Sequence, residues 1–76
     1  MYITIAPNTW GKDENEAESI RLCRKAYGRG MKDFNVYSVH SDTTVDGLGG
    51  FTYPTGHKPI EVRRVRKGKD VPASKE

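Results

Sequence analysis

The chain begins with an alternation of apolar and polar residues that is typical of a β-strand. Residues 2–6 place Ile3 and Ile5 on one face of this strand. Residues 7–8, a proline and an asparagine, should end it, because proline has no amide donor and asparagine favours turns. We therefore expect a loop through residues 9–11.

A helical pattern follows the loop. Asp13 has the properties of an N-cap, and Glu16, three residues later, can reach back to the Asp13 amide. Residues 28–30, Gly-Arg-Gly, tolerate positive φ, so the helix should end near Tyr27 or Gly28. The face predicted to pack on a sheet carries Ile20, Cys23, Ala26 and Tyr27, with Ala17 and Leu22 at its margins.

Three further strands are predicted after the helix. Residues 34–40 are rich in β-branched and aromatic residues on both faces, which indicates a central strand. The glycine-rich segment 43–50 is either a mobile loop or a short strand with a wide turn. Residues 51–53 and 60–66 are predicted to form a hairpin across the five-residue turn 54–58.

These elements predict an α+β fold, in which a single helix packs on a small, mostly antiparallel sheet in the order β-α-β-β-β. A right-handed crossover would make the first two strands parallel if they are neighbours. Val65 breaks the alternation, so either the last strand bulges at residues 63–64 or Val65 points outward. We predict one domain over residues 1–67 and a flexible, polar C-terminal tail over 68–76.

Composition limits the kind of protein this is. A chain of 76 residues buries only about 60% of its unfolded surface, so the core must be thin. The single cysteine excludes an internal disulfide and suits a reducing, cytoplasmic setting. No apolar run approaches the roughly 20 residues of a membrane helix, and we expect no membrane association.

Charge is the property that points to a partner. The formal net charge is +3, acidic residues cluster at the start of the predicted helix, and the last predicted strand and the end of the helix are basic. Such cations can follow phosphates or pair with carboxylates on another protein. The candidate residues for binding a partner or nucleic acid are Trp10, Arg21, Arg24, Lys25, Arg29, Lys58, Arg63, Arg64, Arg66 and Lys67, and Lys69 extends the basic strand. The alternative is that these charges only keep a small protein in solution.

The aromatic residues leave two interpretations open. Trp10 is either an exposed anchor for a partner or a lid folded over the helix and sheet, and the thin core favours the lid. Tyr37 and Tyr53 either pack on the sheet or form a platform for stacking nucleic-acid bases.

Catalytic and metal-binding patterns are weak. Cys23 would need His40 or His57 as a base to act as a nucleophile, yet it lies on the apolar face of the helix, where thiols are usually inert. The cysteine, histidines and Asp42 lack a close-spaced pair of metal ligands. We therefore expect no enzymatic activity, no metal and no cofactor.

In overall architecture, the chain resembles small accessory proteins of phages and mobile elements, among them anti-CRISPR and other anti-defence inhibitors. The resemblance covers the architecture and no motif. It implies a non-enzymatic inhibitor that binds a host protein or nucleoprotein complex. From the charge pattern we expect the basic surface to be the binding site, and we expect a monomer or a homodimer. Direct binding of nucleic acid through the basic C-terminal strand is the alternative hypothesis, and an enzyme that uses Cys23 is the third.

Overall fold

In the computed structural model, residues 1–46 and 50–71 are described, and within them the chain forms one helix and seven strands. The elements are β1 (Tyr2–Ala6), β2 (Thr9–Asp13), α1 (Glu16–Tyr27), β3 (Phe34–Ser38), β4 (Thr44–Val45), β5 (Phe51–Thr52), β6 (Ile60–Arg66) and β7 (Lys69–Val71). Five strands form a sheet in the order β2-β1-β3-β6-β7, and every neighbouring pair is antiparallel. The predicted α+β class is confirmed, with extra short strands, and β3 is central as predicted.

A tight hairpin at the start of the chain corrects the first loop prediction. Asn8 adopts a φ of 64°, a left-handed conformation that asparagine tolerates better than most residues. The chain therefore reverses within two residues, and β2 pairs with β1 from Thr9 opposite Ala6 onward. The loop expected over residues 9–11 is an edge strand, which Gly11 and the flanking charged residues disguise in the sequence pattern.

This hairpin also changes the direction of the crossover. The strands β1 and β3 are neighbours and run antiparallel, so the expected parallel arrangement of the first two predicted strands is wrong. The chain reverses once more, in β2, before it enters the helix. Helix α1 therefore connects β2 to β3, and these two strands run parallel to each other on either side of β1.

The helix begins later than the sequence suggested and ends where it was expected. Because β2 continues to Asp13, the N-cap is Asn15, whose Oδ1 accepts a hydrogen bond from the Glu18 amide at 3.1 Å. Asp13 instead accepts from the Asn15 amide at 2.9 Å. Gly28, at a φ of 101°, ends the helix, and its amide donates to the Arg24 carbonyl at 2.8 Å.

The helix packs unusually close to β2 at Gly11. A Cβ atom at Gly11 would lie 2.6 Å from the Cys23 nitrogen and 2.6 Å from the Ser19 carbonyl oxygen. Both contacts are to the helix backbone, which cannot rotate away as a side chain does. Ser19 and Cys23 are accordingly the buried residues of the helix.

The buried face of the helix differs in part from the predicted one. Cys23 is fully buried and Ile20 packs against the core, as expected. Ala26 and Tyr27 are exposed, because the closest approach to the sheet occurs one turn earlier, at Ser19 and Cys23. The core between helix and sheet consists of Ala6, Cys23, Met31, Phe34, Val36 and Val65, with Tyr2 and Ile20 packed against it.

A buried pair of hydroxyl groups joins the helix to β1. Ser19 Oγ donates to the Glu16 carbonyl at 2.7 Å, and Thr4 Oγ1 lies 2.8 Å from Ser19 Oγ. Since the serine proton is already used, Thr4 must donate to Ser19. Both side chains are fully buried, so each depends on this arrangement for its hydrogen bonds.

The opposite face of the sheet, here called the outer face, is partly covered by the β4–β5 hairpin. The Lys12 ammonium donates to the carbonyls of Ser41 at 2.8 Å and Thr43 at 2.6 Å. The rings of Tyr37 and Phe51 meet edge to face with centroids 5.0 Å apart. These contacts hold the hairpin over the N-terminal half of β1.

The predicted hairpin between residues 51–53 and 60–66 is wrong. Strand β5 pairs with β4, and β6 pairs with β3, because the contacts of Lys12 and Tyr37 draw the intervening segment onto the outer face. A short strand within 43–50 was one of the two predicted alternatives, and β4 corresponds to it. Residues 47–49 lie outside the described part of the chain.

The last strand bulges, and the sheet extends past its predicted end. The register shift between β3 and β6 leaves Val62 as the extra residue, one position before the predicted bulge, and Val65 points into the core. Lys67 and Gly68, at φ values of 56° and 79°, then form a two-residue turn. Strand β7 pairs with β6 and belongs to the sheet, so the domain boundary predicted after residue 67 is wrong. The rest of the predicted tail, residues 72–76, is outside the described residues.

Replacing Gly11 with alanine should destabilise the fold by roughly 1–3 kcal/mol, because the new methyl group would collide with the helix backbone. Thermal unfolding monitored by circular dichroism measures this. Gly50→Ala is the control, since the atoms nearest to a Cβ there, at 3.0–3.5 Å, belong to the exposed Asp46 side chain and not to backbone, so the loss should be smaller. Equal losses in the two variants would contradict the close approach of helix and strand.

The Thr4 and Ser19 hydroxyl groups should contribute unequally to stability. Ser19→Ala leaves the buried Thr4 donor without an acceptor and should cost about 1–3 kcal/mol, whereas Thr4→Val leaves Ser19 still bonded to Glu16 and should cost less. In the double variant the loss should be smaller than the sum of the two. Urea unfolding of the four proteins tests this, and additive, equal losses would contradict the assigned donor direction.

Candidate functional site

The basic final strand does not present its arginines as one surface. Arg63 faces the helix, where its Nε lies 2.8 Å from Glu16 Oε2 and its Nη1 lies 3.5 Å from Asp70 Oδ1. Arg64 faces the other side of the sheet and pairs with Glu61 at 2.9 Å. The charges of Arg63 and Arg64 are thus balanced inside the chain, and these two candidates are separated by the sheet.

Arg66, the next arginine of the strand, is bonded to backbone carbonyls and, among the described residues, not to carboxylates. Arg66 Nη1 donates to the Phe34 carbonyl at 3.2 Å and to the Val65 carbonyl at 2.8 Å. Those acceptors are neutral, so they orient the guanidinium group and leave its charge uncompensated. The following turn is attached to the segment before β3, because the Lys67 amide donates to Asp33 Oδ1 at 2.8 Å and the Gly68 amide donates to the Lys32 carbonyl at 3.0 Å.

The end of the helix lies beside the same segment. The Arg24 guanidinium carbon is 5.9 Å from the centroid of the Phe34 ring, a cation–π contact. Lys25 and Arg29 are exposed and form no ion pair with any described residue. An open depression of about 450 Å³ is lined by Arg21, Arg24, Lys25, Gly28 and Arg29.

Phe34, the first residue of β3, brings these cations together. Arg24 lies over its ring, Val65 pairs with it across the sheet, and Arg66 binds its carbonyl. The resulting group, here called the basic end, surrounds the start of β3 on both faces of the sheet. Its members are Arg24, Lys25 and Arg29 on the helix side, Arg66 and Lys69 on the outer face, and Lys32 and Lys67 in the segment and turn between them. Two acidic residues lie close to it: the Asp33 carboxylate accepts from the Lys67 amide, and Asp70 follows Lys69 in β7 and pairs with Arg63.

The structure therefore unites some of the predicted site residues and separates others. Five predicted candidates meet at the basic end, whereas Arg21 pairs with Glu18 at 2.8 Å. Lys58 precedes Ile60, which pairs with Ser38, so it lies toward the opposite end of β3. Lys32 was missed by the sequence interpretation, although its position just after the basic helix end was a usable signal. The five that meet are Arg24, Lys25, Arg29, Arg66 and Lys67.

Trp10 lies on the outer face, and the predicted lid over the helix is wrong. It alternates with Gly11, which faces the helix, and it pairs with Ile5 across β1 and β2. The residue is 46% exposed and lies on an edge strand. The Tyr37 ring packs edge to face against the Phe51 ring, whereas Tyr53 is exposed.

The groups considered for catalysis or metal binding are placed differently. Cys23 is fully buried, and this burial raises the pKa of its thiol, although Arg24 and a hydrogen bond to the Ala6 backbone act in the opposite direction. The rings of His40 and His57 contact each other at a tilt of 49°, with centroids 4.5 Å apart. Within residues 1–46 and 50–71, no cluster of three or more histidine, cysteine or acidic side chains is arranged to hold a metal.

Among the described residues, no helix has the length and apolar character needed to cross a bilayer. Comparisons with protein-family models, with curated protein sequences and with solved structures give no significant match for this chain.

Stability should fall as the pH rises above about 9, where cysteine ordinarily ionises. The folded protein holds the Cys23 thiol neutral because burial raises its pKa, whereas the unfolded chain releases the proton at the ordinary value. The stabilisation is complete below that pH and is lost as the pH rises through the pKa of the folded state. Burial likewise raises the pKa of Tyr37 above its ordinary value of 10.0, so a second decrease should follow.

Melting temperatures measured from pH 7 to pH 11 test this linkage. In Cys23→Ala the melting temperature should be lower throughout, but its decline between pH 9 and 10 should be shallower than in the parent protein. Parallel curves for the two proteins would show that Cys23 does not titrate differently on folding.

Proposed function

We propose that this chain is a non-enzymatic binding protein that meets a polyanionic partner through its basic end. The observation that carries this proposal is the convergence of cations from the helix, the segment before β3 and the β6–β7 turn. None of the seven basic side chains in this cluster forms an ion pair with a described residue.

Internal stabilisation accounts for only part of the cluster. Arg24 and Lys25 lie in the last helical turn, where cations interact favourably with the helix dipole. Lys32, Lys67 and Lys69 lie outside the helix, and bringing them close to the cationic side chains of its last turn adds repulsion to the folded state. An anionic ligand would relieve that repulsion, and this supports a binding role.

Nucleic acid is the partner that the chemistry of this surface favours. Protein interfaces usually depend on buried aromatic or aliphatic anchors, yet the most exposed aliphatic side chain, Ile60, lies toward the other end of β3. An exposed aromatic residue, Tyr27, lies in the last helical turn beside these cations, and an aromatic ring can stack on a nucleic-acid base. The excess of arginine and lysine around it suits phosphate groups, whose neutralisation releases counterions.

Inhibition of a host nucleoprotein complex fits within this proposal. Because the uncompensated charge is positive, the chain would contact the nucleic acid or an acidic surface of such a complex and would not imitate nucleic acid. The fully buried single cysteine suits action in the reducing cytoplasm.

Arg29→Gln and Lys69→Gln should each weaken nucleic-acid binding and lower the slope of log K against log salt by about 0.7–0.9 per lost phosphate contact. Fluorescence anisotropy with a labelled oligonucleotide between 50 and 200 mM salt measures both effects. Lys58→Gln is the matched control, since it removes one charge from an exposed site outside the basic end.

Equal weakening by Lys58→Gln would mean that only net charge matters, and it would contradict a defined site. An oligoglutamate peptide that bound as tightly as an oligonucleotide of equal charge would instead favour an acidic protein surface as the partner.

A further inference from the structure

We propose that the nucleic acid bound by this protein is single-stranded and crosses the outer face of the sheet, with a base stacked on Trp10 and phosphates at Arg66 and Lys69. This inference rests on the proposed function and specifies the form of its ligand. It starts from Trp10, a residue that is nearly half exposed on the edge strand β2.

The β4–β5 hairpin leaves uncovered the part of the outer face that carries Trp10. Ile3 and Ile5 both face outward on β1, yet Ile3 is fully buried and Ile5 is only partly buried. The covering contacts of Lys12 and Tyr37 belong to the row of Ile3. The next row toward the basic end is therefore the accessible one, and we call it the outer strip. The outer strip comprises Trp10, Ile5, Asn35 and Arg64.

The middle of the outer strip is polar and internally satisfied. The Asn35 amide donates to Glu61, and Arg64 pairs with the same carboxylate at 2.9 Å. These three side chains hold each other in place, so together they form a fixed polar surface in which the charges of Arg64 and Glu61 offset each other. A strand of nucleic acid could lie over this polar surface without repulsion from a carboxylate that lacks a cationic partner.

Cations continue from the outer strip to the basic end on the same face. Arg66 and Lys69 pair across β6 and β7, and their alternation with Val65 places them on the side away from the helix. With strands about 4.8 Å apart, Trp10 on β2 lies three strands, or roughly 14 Å, from β6. A few nucleotides cover that distance.

A single strand fits this arrangement better than a duplex does. The bases of a duplex are stacked inside the helix and cannot lie flat on an indole, whereas unpaired bases stack readily on aromatic side chains. Trp10 supplies that stacking surface, and the cations at the other side of the sheet supply phosphate contacts.

The single tryptophan makes the test direct. We would titrate the protein with unstructured oligothymidylate and oligouridylate of about 12 nucleotides, and with a DNA duplex of equal length, while recording intrinsic fluorescence. Either single strand should quench the Trp10 emission and should bind more tightly than the duplex. The two single-stranded probes separate DNA from RNA as the preferred ligand.

Trp10→Ala should weaken single-strand binding by roughly tenfold or more, as expected from loss of one stacked base, and should leave duplex binding unchanged. Trp10→Phe should retain most of the affinity, which guards against a folding defect in the alanine variant. Tyr53→Ala is the control, because Tyr53 is a similarly exposed aromatic residue outside the outer strip.

Unquenched emission together with unchanged affinity in Trp10→Ala would overturn this inference. If Arg29→Gln and Lys69→Gln still weakened binding, the proposed function would stand without it. If neither single strands nor duplex bound the parent protein, the proposed function itself would fail.

Discussion

The close contact between Gly11 and the backbone of α1 is the constraint on which the rest of this fold depends. Because Gly11 has no side chain, backbone atoms of the helix can come within 2.6 Å of the position that a Cβ atom would occupy. Any other residue would clash there. At this distance Ser19 and Cys23 are small enough to fit beneath the helix, and the Ser19 hydroxyl reaches Thr4 on β1. A thin core becomes sufficient because little volume remains to be filled.

This approach also decides where the end of the helix lies on the sheet. Its last turn comes to lie over Phe34, at the beginning of β3, and Arg24 contacts the aromatic ring. The β6–β7 turn meets the same region through its hydrogen bonds to Lys32 and Asp33. Cations that lie more than 30 positions apart in the chain therefore converge, and the basic end is a consequence of the packing of helix on sheet.

Charge is distributed between two roles. Arg63 and Arg64, which stand at the centre of the most basic stretch of the sequence, pair with carboxylates on opposite faces of the sheet. Partly exposed pairs such as these contribute modestly to stability, but they remove both arginines from any surface of uncompensated charge. Arg66, two residues beyond Arg64, is bound only to peptide carbonyls in the described structure and keeps its charge available.

The amino-acid sequence alone determined the fold class, the end of the helix near Gly28 and the central position of β3, and it offered a bulge in the last strand as one of two alternatives. These features depend on local properties, namely the period of the apolar residues, the conformational freedom of glycine and the β-branched composition of residues 34–40. They need no knowledge of distant contacts. The basic character of the helix end was equally visible, because charge is a property of composition.

Only the tertiary structure decided which elements are neighbours. The β1–β2 hairpin depends on a left-handed Asn8, and the β4–β5 hairpin depends on Lys12 and Tyr37, residues at least 14 positions away from the carbonyls and ring they contact. The sequence could not reveal that Arg63 and Arg64 would be neutralised, since their partners depend on strand register. Nor could it place Trp10. Trp10 and its neighbour Gly11 lie on opposite faces of the sheet, so a shift of one residue in the strand register would exchange them.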